Sequence, residues 1–246
     1  MGDRSMLDHA LPHEEIQKIF HDIFFVIGTS ITHHGEHVIQ HSSNMTIVRR
    51  GDELTLINTI RLNEKGLQQL EGLGMVKNII RLGAFHGQDD AFYRNRYRAK
   101  LWSLKGMKEE CGQGTDSEMD VEIVPNGQTP FSGCCFYVFE TSSCPEAVLH
   151  IDQEGGILVV CDCVKNWLSP DQFFSATTAQ AHQQEGMIGP ANIAFWCNAC
   201  GVKRSDFSKL LSLSFQHLLS AHGEPIRKNA HELLSISVKR QYSANS

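Results

Sequence analysis

The sequence predicts an α/β protein of the layered α+β kind, a single domain over 1–246, and three observations carry that prediction. Short apolar runs of about four to eight residues, bounded by turn residues, recur as strand candidates. In the first half these runs arrive as hairpins, and in the second they alternate with helical segments, an order that favours layers of helix and sheet over a doubly wound parallel sheet. Two late runs, 155–162 and 218–226, end in a polar group able to hold a metal, Asp162 and His222. The carboxyl end of a strand is where an α/β sheet keeps its ligands.

Each element has a local reason. Residues 1–22 read as a polar lead-in, with Pro12-His13-Glu14-Glu15 opening a short helical turn. Residues 23–28 form a strand candidate, followed by a His-rich turn at 33–36. Residues 45–49 and 54–58 are two strands joined by Arg50-Gly51-Asp52-Glu53. Asn63 is an N-cap candidate for a helix over 63–70. The strand 76–82 empties into Gly83-Ala84-Phe85-His86-Gly87-Gln88-Asp89-Asp90, whose aspartates can cap a helix through Phe92, Tyr93 and Tyr97. Residues 99–104 look extended, and 105–129, rich in Gly, Glu and Asp, read as a surface excursion. Strands follow over 134–139, 147–151 and 157–161. A helical, irregular insertion spans 170–215, a helix covers 228–238, and a flexible tail is expected over 241–246.

Composition narrows the function classes. Apolar residues make 41% and charged residues 20%, as in an ordinary soluble domain, and a net charge of −6 offers no basic footprint for nucleic acid or anionic lipid. The cluster Arg94, Arg96, Arg98 and Lys100 is short and diluted by the acidic stretch 109–122. No apolar run reaches the ~18 residues of a membrane span. The opening Met1-Gly2-Asp3-Arg4-Ser5-Met6 lacks a signal h-region and a myristoylation Ser or Thr, so a cytoplasmic location is the expectation. With eight cysteines a disulfide framework is not expected, because a chain this size has no need of staples, and Cys134, Cys135, Cys161 and Cys163 read as small buried hydrophobes. Cys161 and Cys163, flanking Asp162, are expected to point away from it by strand alternation. Cys197-x-x-Cys200 has the spacing of half a zinc ribbon or a redox pair, with packing beside Trp196 as the plainer reading. His33, His34, His37 and His41 read as a solvated hairpin tip.

Several stretches together resemble the metallo-β-lactamase fold superfamily. Ser43 to Val48 with Gly51 to Thr59 is similar to its opening hairpin, which normally ends in Asp-Thr-Gly and here reads Asn58-Thr59-Ile60. Gly74 to Ile80 is similar to the strand leading into the metal motif. Gly156 to Asp162 resembles the strand whose terminal carboxylate bridges two metals, and Ala221-His222-Gly223 resembles the segment supplying the last imidazole. The resemblance implies a four-layer αββα sandwich of two mixed β-sheets, with metals at one sheet edge.

The departures are as informative. The family's His-x-His-x-Asp-His falls on 84–91 here. With His86 in the first position, Gln88, Asp90 and Ala91 take the remaining ones. With His86 in the second, Ala84 and Gln88 are losses and Asp89 replaces the final histidine. Thr141 to Glu146 occupies the place of a further histidine, so the resemblance implies a degenerate two-zinc site. What remains as candidate ligands is His86, Asp89, Asp90, Asp162 and His222, a set suited to one divalent Zn, Fe or Mn ion, or to none. In the first reading the protein is a metallo-hydrolase-like enzyme for a small ester, lactone or phosphoester. Asp162 then orients a metal-bound water, and His86 acts as acid or oxyanion donor. In the second it is a non-catalytic member, its site decayed into small-molecule binding or a scaffold role. Neither reading involves nucleic acid or membrane, and the oligomeric state stays open.

Overall fold

Pairing in this protein is dominated by one long hairpin, β2 (Ile23–His34) with β3 (His37–Arg50), which runs past the sheet core and reaches over the rim described below. The structure is a computed structural model describing residues 9–35, 37–107 and 119–243. The first sheet has seven strands in chain order: β1 (Gln17–Phe20), β2, β3, β4 (Glu53–Ile57), β5 (Met75–Ile80), β6 (Lys100–Ser103) and β7 (Val121–Glu122). Pairing is antiparallel from β1 to β4 and parallel from β4 to β7. The second sheet has β8 (Cys134–Val138), β9 (Ala147–Ile151), β10 (Ile157–Val160) and β11 (His217–Ser220), in the order β11-β10-β9-β8. There β10 and β11 are parallel and the other pairs antiparallel.

Three buried apolar clusters define four layers. One, with Ile23, Ile57, Ile80, Leu149, Val159 and Leu219, fills the space between the sheets. A second packs α1 (Glu64–Leu73) and α2 (Asp90–Tyr97) on the outer face of the first sheet, through Leu67, Leu70 and Tyr93. The third packs α4 (Ala194–Cys200), α5 (Arg204–Leu210) and α6 (Ala230–Ser243) on the second, through Trp196, Phe207 and Leu234. The expected αββα sandwich of two mixed sheets is what the chain adopts. Asn63 caps α1 as its sequence suggests, accepting from the Gly66 amide at 2.9 Å.

Several expectations need revision. The lead-in carries the edge strand β1 and a His13–Gly28 bridge where a helical turn is expected, because pairing with β2 satisfies backbone groups that an isolated turn leaves to water. The insertion 170–215 holds α3 (Ala176–Gln184), α4 and α5. Helix α6 runs to Ser243, so the tail expected from 241 begins helical; residues 108–118 of the surface excursion and 244–246 lie outside the described residues. Cys200 forms a disulfide with Cys144 across a Cα separation of 5.5 Å, and not a pair with Cys197, which is buried under the Tyr242 hydroxyl. Two Ser143 donors, its amide and its hydroxyl, hold the Cys200 carbonyl and bring the two loops together. Size alone argues against staples but does not address this local proximity. Among the described residues no helix is long and apolar enough to cross a membrane.

Two asparagines, Asn58 just after β4 and Asn44 within β3, clip the sheets together. Asn58, at a left-handed φ of 54°, donates its side-chain amide to the Val160 carbonyl at 3.0 Å. Buried Asn44 donates to the Ser220 and Gly223 carbonyls at 3.0 and 2.7 Å, while its backbone amide bonds Ala221. An Asn44→Ala variant leaves both carbonyls without that donor and should lose about 2–4 kcal/mol of stability. Urea denaturation reads this directly, and a loss under about 0.5 kcal/mol would mean the clip is idle.

Candidate metal centre

The parallel register of β10 and β11 sets Val160 beside Ser220, so both strands end at the same rim. Asp162 follows β10 by two residues and His222 follows β11 by two, which brings groups sixty positions apart to one point. His86 arrives from the loop after β5, whose parallel neighbours end at the same side. His222 Nε2 lies 3.1 Å from Asp162 Oδ1 and 3.1 Å from His86 Nε2, and His86 Nε2 lies 3.5 Å from Asp162 Oδ2. Asp162 and His222 are buried, and His86 is partly buried.

Protons decide what this triangle is fit for. His222 Nδ1 lies 3.2 Å from the Ser42 carbonyl and Nε2 lies 3.1 Å from Asp162 Oδ1, so both ring nitrogens face an acceptor and one N–H serves one of them. Nε2 also faces His86 Nε2. Burial, with the Lys165 ammonium behind it, holds the His222 pKa well below its usual value, which keeps the ring neutral. Burial likewise lowers His86, against the pull of Asp162. The two imidazole nitrogens and the two carboxylate oxygens converge on one point at the rim, and nitrogen and carboxylate donors of this kind are ones a divalent ion takes.

Asp162 is held in its charged form. Burial alone would raise its pKa, but Lys165, whose Nζ lies 2.6 Å from Oδ1, and the two imidazoles keep it well below the carboxylate range. Cys161 Sγ falls with the His86 and Asp162 donors in a group whose ligand atoms lie within 4.8 Å of one another. Alternation would have sent Cys161 away from Asp162. However, β10 ends at Val160 and the chain turns at 161–163, so alternation no longer applies. Burial, and then the charges of Asp162 and Glu146, push the Cys161 thiol well above its usual value. Glu146, fully enclosed, accepts from the Cys163 amide at 2.6 Å; burial and the nearby Asp162 charge raise it to about 8.

Asp89 and Asp90 are placed differently from the expectation that they face the imidazoles. Asp90 accepts from Thr59 Oγ1 at 2.6 Å and from Arg81 Nε at 2.8 Å, so each of its oxygens already has a protein donor. Asp89 accepts from the Arg61 amide at 2.8 Å, and burial raises it to about 6. Gly87, at φ 105°, lets Arg81 pass: a Cβ there would lie 2.1 Å from Arg81 Nε. The structure therefore brings His86, Asp162 and His222 together and gives the two aspartates to arginines.

One wall of the site is aromatic. The His41 ring packs 5.2 Å from both Trp167 and His222, and the Phe174 and His182 rings join them at 5.2 and 5.4 Å from Trp167. His41 therefore belongs to the arm of the hairpin that lies over the rim, not to its solvated tip; burial lowers its pKa to about 4. Gln40 fixes the arm, its amide donating to Thr178 Oγ1 and its side chain to the Phe173 carbonyl, both at 3.0 Å. Trp196, in contrast, is core beneath the second sheet.

Solved structures with this architecture can now be set beside it. The chain aligns over 96% of its length with all of the DIM-1 metallo-β-lactamase exposed to ceftazidime, at TM-score 0.63 and 12% identity. It aligns over 94% with 96% of the FIM-1 enzyme from Pseudomonas aeruginosa in its mono-zinc form, at TM-score 0.60 and 13% identity. A metallo-β-lactamase from Hirschia baltica matches at TM-score 0.58 and 14% identity, covering 92% of this chain and 98% of its own. No family model and no curated protein matches the sequence. The chain has the metallo-β-lactamase fold.

The titrations carry a sign. Glu146 at about 8 stands above its ordinary 4.5, so the folded chain keeps a proton that the unfolded chain releases, and its contribution to stability falls as pH rises through that window. His41, lowered to about 4, acts oppositely: its contribution is present above 6.5 and is lost as pH falls towards 4. Glu146→Gln, which keeps an acceptor for the Cys163 amide, should gain stability relative to wild type progressively from about pH 5 to about pH 8 in chelator. Denaturation curves that stay parallel across that range would show that Glu146 ionises freely.

Proposed function

We propose that this protein binds one divalent metal through His86, Asp162 and His222 and is a metallo-hydrolase acting on a small ester, lactone or phosphoester. The observation that carries the reading is the convergence of His222 Nε2 on the Asp162 carboxylate and on His86 Nε2, each at 3.1 Å. A bound divalent ion would supply Lewis acidity and a water with its pKa lowered towards ~7. The chain's own part is orientation and exclusion of water. The Ser42 carbonyl faces His222 Nδ1 and orients the ring, and the Ser220 hydroxyl accepts from the His222 amide at 3.0 Å. Asp162 stays ionised and would orient a water placed beside it by accepting its hydrogen bond. The wall of His41, Trp167 and Phe174 shields the rim from solvent.

Several observations favour a small substrate. The hairpin arm and the segment carrying Phe173 and Phe174 are tied together over the rim, and the aromatic wall suits an apolar or flat portion of a ligand. One of the similar structures is of an enzyme in its mono-zinc form. The second reading, a non-catalytic binding protein, draws on the Lys165–Asp162 ion pair, which already neutralises the carboxylate without any metal.

Metal content after chelation and reloading separates the ligand assignments. His86→Ala, Asp162→Ala and His222→Ala should each lose stoichiometric metal. Asp90→Asn should keep it while losing about 3–5 kcal/mol of stability, because Arg81 is left as an unpaired buried cation. Loss of metal in Asp90→Asn with stability unchanged would return Asp90 to the ligand set. Hydrolysis of a generic ester and phosphodiester panel that disappears in Asp162→Ala would support the enzymatic reading. A loaded protein inactive on every member would favour the binding role.

A further inference from the structure

We propose that the Lys165 ammonium is a built-in cation standing in for a second metal ion, so that the centre takes one ion and holds it less tightly than its donors allow. The inference rests on the metal-binding reading above and concerns a residue outside the ligand set.

The lysine is built into its position. Its backbone makes reciprocal bonds with Asn192, N to O at 2.8 and 2.7 Å, which fix where the stem departs. Its side chain is buried, with Nζ 2.6 Å from Asp162 Oδ1 and 5.8 Å from the Trp167 ring centre. The oxygen it holds is the one that His222 Nε2 approaches at 3.1 Å. An ammonium, an imidazole and an incoming ion therefore share one carboxylate.

Geometry alone would allow more than one ion. Two donor groups share the His86–Asp162 edge: one is completed by His222, the other by Cys161, within 4.8 Å. Charge is what runs short. Asp90 is already paired with Arg81. Glu146 Oε1 is taken by the Cys163 amide at 2.6 Å. One divalent ion beside Asp162 and Lys165 already exceeds the negative charge available, and a second would compound the excess in a buried site. Like charges a few ångströms apart inside a protein repel strongly, so the ammonium weakens the first ion and excludes the second.

The test uses the full chain, stripped with chelator and titrated with Zn²⁺ and separately with Mn²⁺ by calorimetry, with retained metal counted by mass spectrometry. Wild type should hold one ion. Lys165→Met, which keeps the stem and removes the charge, should bind that ion about tenfold or more tightly, and Lys165→Arg should resemble wild type. Lys165→Gln is read in the same way if the Met variant fails to fold by circular dichroism. Two tightly held ions in wild type, or a neutral variant that binds no more tightly than wild type, overturns the proposal. No ion in wild type with one in the neutral variants supports it while removing the metal-loaded reading of the native chain. No ion in any variant overturns both.

Discussion

A carboxylate as enclosed as Asp162 must have cations or donors around it to remain ionised, and the rim of this sandwich is organised to meet that requirement. Lys165 supplies a full positive charge, while His86 and His222 supply nitrogen atoms on the remaining sides. The strands exist at those positions for another reason, their apolar faces, which bury Val159, Leu219 and Ile80 between the sheets. The fold delivers the ends, and the charge at Asp162 decides what the ends must carry. Asn44 and Asn58 connect the two requirements, since the amides that close the sheets are the ones that fix the turns bearing Asp162 and His222.

The same logic explains why neighbouring acids have different fates. Asp90, nine residues beyond Arg81, is claimed by that guanidinium and by Thr59, and becomes a structural ion pair behind His86. Glu146 is held largely neutral by burial and by the Asp162 charge, against the pull of Lys165. A single buried anion, two neutral imidazoles, a thiol and an ammonium make a centre with few negative charges. That poverty favours one metal ion over two, and it gives Lys165 its influence.

Much of the scaffold was legible in the sequence because strands announce themselves by apolar runs and helices by caps such as Asn63. Asp162 and His222 were legible for the same reason, as polar residues ending such runs, and His86 as the imidazole after the strand 76–82. Lys165 was missed because a lysine in a turn is ordinarily solvated, and nothing local reports its burial. Cys161 was sent to the wrong side by carrying strand alternation past the point where β10 stops. His41 was grouped with the exposed histidines of the hairpin, since the length of β3 and its packing on Trp167 depend on contacts more than a hundred residues away. Asp89 and Asp90 were offered as ligands because their arginine partners become visible only when the loops fold back.

The central claim is that one metal ion sits among His86, Asp162 and His222. Anomalous diffraction from crystals grown with Zn²⁺, recorded on both sides of the zinc edge, tests it most directly. The account predicts one strong peak within bonding distance of His86 Nε2, His222 Nε2 and an Asp162 oxygen. A map with no peak at that rim, or with zinc held instead by the exposed His33 and His37, would contradict it.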